Sequence, residues 1–252
     1  MGIYPIFSVE DWQAACDDIR EHSNTWSEQY GATVVNNTNF LVESYLDGEE
    51  YAIDAYFNEQ GETIILDILK HDFAGTEDVS DRLYYTSKVV VEDTMQAMKD
   101  FLIKSNELLD FKNFPVHVEV RVDEAGVVTP IEFNPMRFAG LCTTDLSYFA
   151  YGFKTYEMYL RNEQPNWDDV LADKAGKRYS MVMLSTDGTA LPDTYSFDYE
   201  AVQRKFFKVL ACRQLNAKQY NTFGVLFTEA SDEDWKAESD YILHSSLKEF
   251  LS

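Results

Sequence analysis

Val116-His117-Val118-Glu119-Val120-Arg121-Val122, then Asp123-Glu124-Ala125-Gly126, then Val127-Val128-Thr129-Pro130-Ile131-Glu132-Phe133-Asn134-Pro135: this stretch decides how the chain reads. The first run alternates without a break, so the four valines share one face of a strand and His117, Glu119 and Arg121 the other. Residues 123–126 turn the chain. On the returning strand Ile131 and Phe133 share one face, Glu132 and Asn134 the other. A register that joins the apolar faces gathers Glu119, Glu132 and Asn134 on the opposite side. A slip of one residue would set Glu132 among the valines, which burial of a charge forbids.

Two carboxylates at short range raise each other's pKa unless a cation lies between them. An oxygen-only set of this kind suits Mg²⁺, which takes one or two carboxylates together with phosphate oxygens and water. A half-exposed strand with a solvated polar face shows the same alternation, so pattern alone leaves both readings open.

Outward from the hairpin, both helices and strands are predicted, and the fold class is α+β. Ser8 and an acidic first turn begin a helix over 9–22. Val34-Val35, Phe40-Leu41-Val42, residues 51–57 and residues 63–69 are β-rich runs, with Asp47-Gly48 and Gln60-Gly61 as turns. Residues 71–88 read as a long loop and 89–109 as a helix. After Pro135 a loop leads to an aromatic helix over 146–160. Thr143, Thr144 and Asp145 read as its N-cap cluster rather than as a pocket wall. Strands are predicted at 179–184, 207–215 and 222–228. Three segments are therefore expected: 1–45, 46–178, and a small β-rich C-terminal appendage at 179–252.

The formal net charge of −23 repels phosphate backbones and excludes nucleic acid as a partner. It repels free ATP as well, so a nucleotide site here needs Mg²⁺ or local Lys and Arg. Cys16, Cys142 and Cys212 form no CxxC pair, which points to a reducing, cytoplasmic setting without zinc or disulfides. A signal peptide and a membrane span are not expected. His71 and His117 have no metal-type partners in sequence and read as structural.

Glu132-Phe133-Asn134-Pro135 resembles the Glu-x-Asn-Pro signature of the ATP-grasp superfamily, where Glu and Asn bind Mg²⁺ that bridges ATP phosphates. The run 116–122 resembles the strand that supplies the other metal carboxylate, which places that role on Glu119. Upstream, residues 40–54 resemble the hinge and following strand of the family. By that resemblance Glu43 and the backbone of Ser44, Tyr45 and Leu46 meet adenine, and Glu50 meets the ribose. Lys70, at a strand end, is placed near the mouth of the site, as a phosphate or substrate contact or as a solvated lysine. The family often has Arg directly after Asn-Pro. Here Met136 stands there and Arg137 follows, in reach of phosphate or a substrate carboxylate.

The resemblance covers residues 2–160. It implies the ATP-grasp fold, ATP and Mg²⁺ as cofactors, and small-molecule carboxylate and amine (or thiol) substrates joined through an acyl phosphate. The strand carrying the family's ATP-binding Lys and its N-terminal domain are expected before residue 1, so this chain alone is expected to be inactive. The alternative is a non-catalytic nucleotide-binding or interaction module on the same fold. A homodimer is one arrangement left open.

Overall fold

A computed structural model describes residues 3–30, 39–75, 78–186, 191, 194–217 and 221–251. The chain divides into two compact units, Met1–Leu46 and Asp47–Ser252. Among the described residues no helix is long and apolar enough to cross a membrane.

The first unit holds helix α1 (Val9–Tyr30), eight residues longer than the capping signal alone suggested. Ser8 Oγ accepts from Asp11 N at 3.0 Å, and Asp11 returns the bond by accepting from Phe7 N at 3.0 Å. The first bond satisfies one orphan donor at the helix start, and the second ties the preceding residue Phe7 to the first turn. Hydrogen bonding by Ser8 also lowers the Asp11 carboxyl pKa. Phe40, Leu41 and Val42, expected in a strand, are exposed and carry no strand ladder. Val34 and Val35 lie outside the described residues.

Among the described residues the second unit carries one sheet of eight strands in the order β5-β4-β1-β2-β3-β6-β8-β7, every described pair antiparallel. The strands are β1 (Glu49–Phe57), β2 (Thr63–Asp72), β3 (Leu83–Ser87), β4 (Phe114–Val122), β5 (Val128–Pro135), β6 (Lys177–Ser185), β7 (Lys208–Gln214) and β8 (Thr222–Ser231). Gly48 leads into β1 with φ +115°. A Cβ there would lie 2.3 Å from Val122 O, so only glycine lets β1 start beside the end of β4.

Helix α2 (Lys88–Leu109) covers one face of β1, β2 and β4. Ser87 caps its start by accepting from Val90 N. Asn106 ties its end to the β1–β2 turn by donating to Gly61 O at 3.1 Å. Beneath it Tyr51, Ile53, Ala55 and Phe57 alternate along β1 and pack with Val116, Val118 and Val120 of β4 and with Met98 and Leu102 of the helix. Met98 and Leu102 are fully buried, each worth about 1.5–3 kcal/mol of hydrophobic stabilisation.

Three local expectations change. Part of the expected loop at 71–88 is strand β3, all five residues buried. A strand buried on both faces loses the alternation by which strands are recognised. The expected helix over 146–160 is two, α3 (Leu146–Tyr151) and α4 (Thr155–Arg161), because Gly152 at φ +83° ends the first. Residues 179–252 continue the sheet: β6 pairs with β3 along 83–87, and β8 with β6. Trp235 of helix α7 (Asp232–His244; α5 is Trp167–Val170 and α6 Tyr199–Gln203) packs on Tyr85 of β3.

Candidate functional site

The face of β1 turned away from α2 carries the polar residues, and the register sets them in cross-strand rows. The first row runs Tyr84, His71, Glu50, Arg121, Thr129. The next runs Leu69, Ala52, Glu119, Glu132, and the third Asp67, Asp54, His117, Asn134. The predicted hairpin register is present, with Glu119 directly opposite Glu132 and a bulge between Glu119 and Val120. Directly opposed side chains have Cβ atoms about 4.5–5.5 Å apart. Glu119, Glu132 and Asn134 are thus brought to one patch of one face.

Glu50 sits beside that patch and is already engaged. One oxygen meets His71 Nδ1 at 2.8 Å, and the other accepts from Arg121 Nη2 at 2.9 Å. Burial works to raise the Glu50 carboxyl, but the hydrogen bonds and charges of His71 and Arg121 outweigh it and hold its pKa below the ordinary value. The His71 ring is itself fixed, stacked on Tyr84 at 4.1 Å and against Phe73 at 4.0 Å.

His117 links the patch to the interior. Its Nδ1 lies 2.8 Å from Asp54 Oδ1 and its Nε2 lies 3.2 Å from Glu119 Oε1. Burial would lower its pKa. Hydrogen bonds to Asp54 and Glu119 overcome that and raise it to about 9, so both nitrogens carry protons near neutrality. Asp67, opposite Asp54, is fully buried and neither of its oxygens has a well-formed hydrogen bond. Burial, and then the Asp54 charge, push its carboxyl well above the usual range. Asp54 Oδ2 and Asn134 Nδ2 are also buried without partners.

Other predicted residues fall elsewhere. Lys70 stands on the opposite face, between Tyr51 and Tyr85, and is paired with Glu49. A strand residue next to His71 must point away from it, so Lys70 is not brought to the patch. Arg137 follows Met136, whose φ of +60° ends β5, and its Nη1 donates to Phe138 O at 3.3 Å. Glu43, Ser44, Tyr45 and Leu46 belong to the first unit, outside helix and strand, where Tyr45 meets Phe7 edge-on. Thr143 and Thr144 are buried; Thr144 bonds Thr155 at 2.6 Å, a packing role.

Sequence reasoning set His117 and Arg121 on this face beside Glu119 but gave them no role in the site, and it missed Asp54, Asp67 and His71 as members. Asp54 and Asp67 interrupt otherwise apolar runs, and a charge inside such a run is the signal available. Among the described residues no group of three or more His, Cys, Asp or Glu stands together as a metal site. Two carboxylates and an amide are nevertheless the hard-oxygen donors that Mg²⁺ accepts when phosphate and water complete its shell. A separate cavity of about 650 Å³, lined by Gly61, Lys99 and Asn106, lies by the β1–β2 turn and shares no residue with this face.

A model of the ATP-grasp domain matches residues 1–145. No curated protein matches the chain in sequence. Among solved structures, an L-amino acid ligase from Bacillus licheniformis is similar with TM-score 0.59 and 17% identity, over 82% of this chain and 54% of that one. A biotin carboxylase from Campylobacter jejuni, in a β-γ-ATP complex, gives 0.58 and 12% over 91% and 51%. An N5-carboxyaminoimidazole ribonucleotide synthetase from Thermotoga maritima gives 0.55 and 14% over 86% and 57%. At these identities the likeness is one of fold, and the chain spans about half the length of each.

Proposed function

We propose, from the premise that this chain belongs to the ATP-grasp family, that the polar face of its sheet binds Mg-ATP and activates a small carboxylate for attack by an amine or thiol. The observation that carries the reading is the placement of Glu119 opposite Glu132, with Asn134 on the same face. Glu119, Glu132 and Asn134 would hold Mg²⁺, which when bound would supply positive charge against the phosphates.

The chain's own residues position and screen. Arg121 and His71 aim the Glu50 carboxylate, whose remaining lone pairs accept from ribose hydroxyls. Arg137 supplies a fork for phosphate or for the substrate carboxylate. Lys70 takes no part, since it is paired on the far face. In the reaction a substrate carboxylate oxygen attacks the γ-phosphorus and ADP leaves. The nucleophile then adds to the acyl phosphate, inorganic phosphate departs, and no enzyme side chain becomes covalently modified. A reducing cytoplasmic setting accords with the free thiols of Cys16, Cys142 and Cys212.

Calorimetric titration with Mg-ATP tests the reading. Glu132→Ala is expected to weaken binding about tenfold or more, as loss of a metal carboxylate should. Equal affinity in parent and variant would sink it. One feature favours a second reading, a nucleotide-binding module without turnover: Met136, 74% exposed, stands where the family often has Arg. Tight Mg-ATP binding with no ADP release for any carboxylate and amine pair would support that module.

A further inference from the structure

Asp54 is 1% exposed, in the middle of β1, and its two oxygens differ. Oδ2 has no partner. Oδ1 accepts two hydrogen bonds, from His117 Nδ1 at 2.8 Å and from Ala139 N at 2.9 Å. These donors come from different segments of the chain, strand β4 and the stretch after β5. His117 reaches on to Glu119 Oε1 through its other nitrogen. Ala139 lies two residues after Arg137, in the segment that follows β5. One buried oxygen therefore joins the strand that carries Glu119 to the segment that carries Arg137.

We propose that Asp54 is a positioning residue for the nucleotide face, setting Glu119 through His117 and the Arg137 segment through Ala139. The proposal rests on the Mg-ATP reading above. A buried carboxylate is costly in an apolar strand, and a packing role alone would be filled better by Val or Leu. What a carboxylate adds is an acceptor that holds two donors at fixed directions, as residues behind metal ligands do. The neighbouring Asp67 is equally buried yet accepts no well-formed hydrogen bond, so burial by itself does not create this junction.

The test uses the full chain at pH 7.5. Affinities for Mg-ATP and for ATP with chelator are measured by calorimetry, and the Ala139 amide proton is followed by NMR. Asp54→Ala is expected to weaken Mg-ATP about tenfold, within the usual range for groups that support metal ligands. Affinity for metal-free ATP should fall less than affinity for Mg-ATP, since only the Arg137 arm acts on it, and the Ala139 amide should shift upfield as its acceptor is lost. Asp54→Asn keeps an acceptor oxygen and should recover most of both signals. A folded Asp54→Ala that binds Mg-ATP as the parent does overturns the proposal.

If Asp54→Ala does not fold, His117→Gln interrogates the Glu119 arm. Weakened Mg-ATP binding with the Ala139 amide unmoved is then the expected result, and parental affinity overturns the proposal. Failure of the Mg-ATP reading itself is recognised separately, because it appears in the parent as an absence of saturable Mg-ATP binding.

Discussion

The two faces of β1 are built on opposite terms. Toward α2 the strand presents Tyr51, Ile53, Ala55 and Phe57, all buried in one apolar cluster whose members need nothing beyond contact. On the reverse it presents Glu50, Ala52 and Asp54. There the groups are held by directional bonds to His71, Arg121 and His117, and several polar atoms remain unpartnered. Contact between hydrocarbons tolerates small shifts, whereas a charged hydrogen-bond network tolerates few and leaves a large penalty when one member is lost. The first face supplies stability, and the second converts part of that stability into fixed chemistry.

Substitutions can separate the two. The largest effect should come from the apolar face: Leu102→Ala is expected to cost about 2–5 kcal/mol in urea unfolding, because a fully buried side chain leaves a cavity. It should leave the directional bonds near Glu119 intact, and a matching loss of the Ala139 amide shift would break the comparison. On the polar face, His117→Gln tests charge rather than volume. The folded pKa of His117 is raised from 6.5 to about 9, so its contribution is complete below pH 6.5 and is lost as pH rises through about 9. The parent should exceed the variant by on the order of 3 kcal/mol below that window, converging above it. A difference that does not vary with pH would refute the charged assignment.

Asp67→Asn should give the smallest effect at low pH, within about 1 kcal/mol below the ordinary carboxylate range, where parent and variant are both neutral. The Asp67 carboxyl is raised above its usual 3.8 by burial and by Asp54. Its stabilising contribution is therefore present at low pH and declines as pH rises, so the variant should gain on the parent with rising pH. Urea midpoints across a pH series would show it, and parallel curves would count against a proton held at Asp67.

The hairpin was legible because its alternation is strict and a slip would bury Glu132. The same logic places Glu119, Glu132 and Asn134 on one face from the sequence alone. Strand β3 was not legible, since Leu83-Tyr84-Tyr85-Thr86-Ser87 is buried throughout and shows no period. The break at Gly152 was visible as a glycine within a helical pattern, but its left-handed conformation follows from the chain reversal rather than from local preference. The roles of His71 and His117 were hidden for a different reason: the carboxylates of β1 that hold their Nδ1 atoms, Glu50 and Asp54, lie 21 and 63 residues away. The continuation of the sheet into β6 and β8 depends on pairing with β3, so missing that strand concealed it.

Strand β5, which carries Glu132 and Asn134, is also the border of the sheet among the described residues. A border strand normally offers unpaired amides as a template for a neighbouring chain. Here Pro130 and Pro135 remove two of those donors, and the exposed charge of Glu132 discourages a second acidic chain from lying alongside. The rim that bears the proposed ligands is thereby a poor docking edge for self-association, and a nucleotide can approach it without competition from a ninth strand.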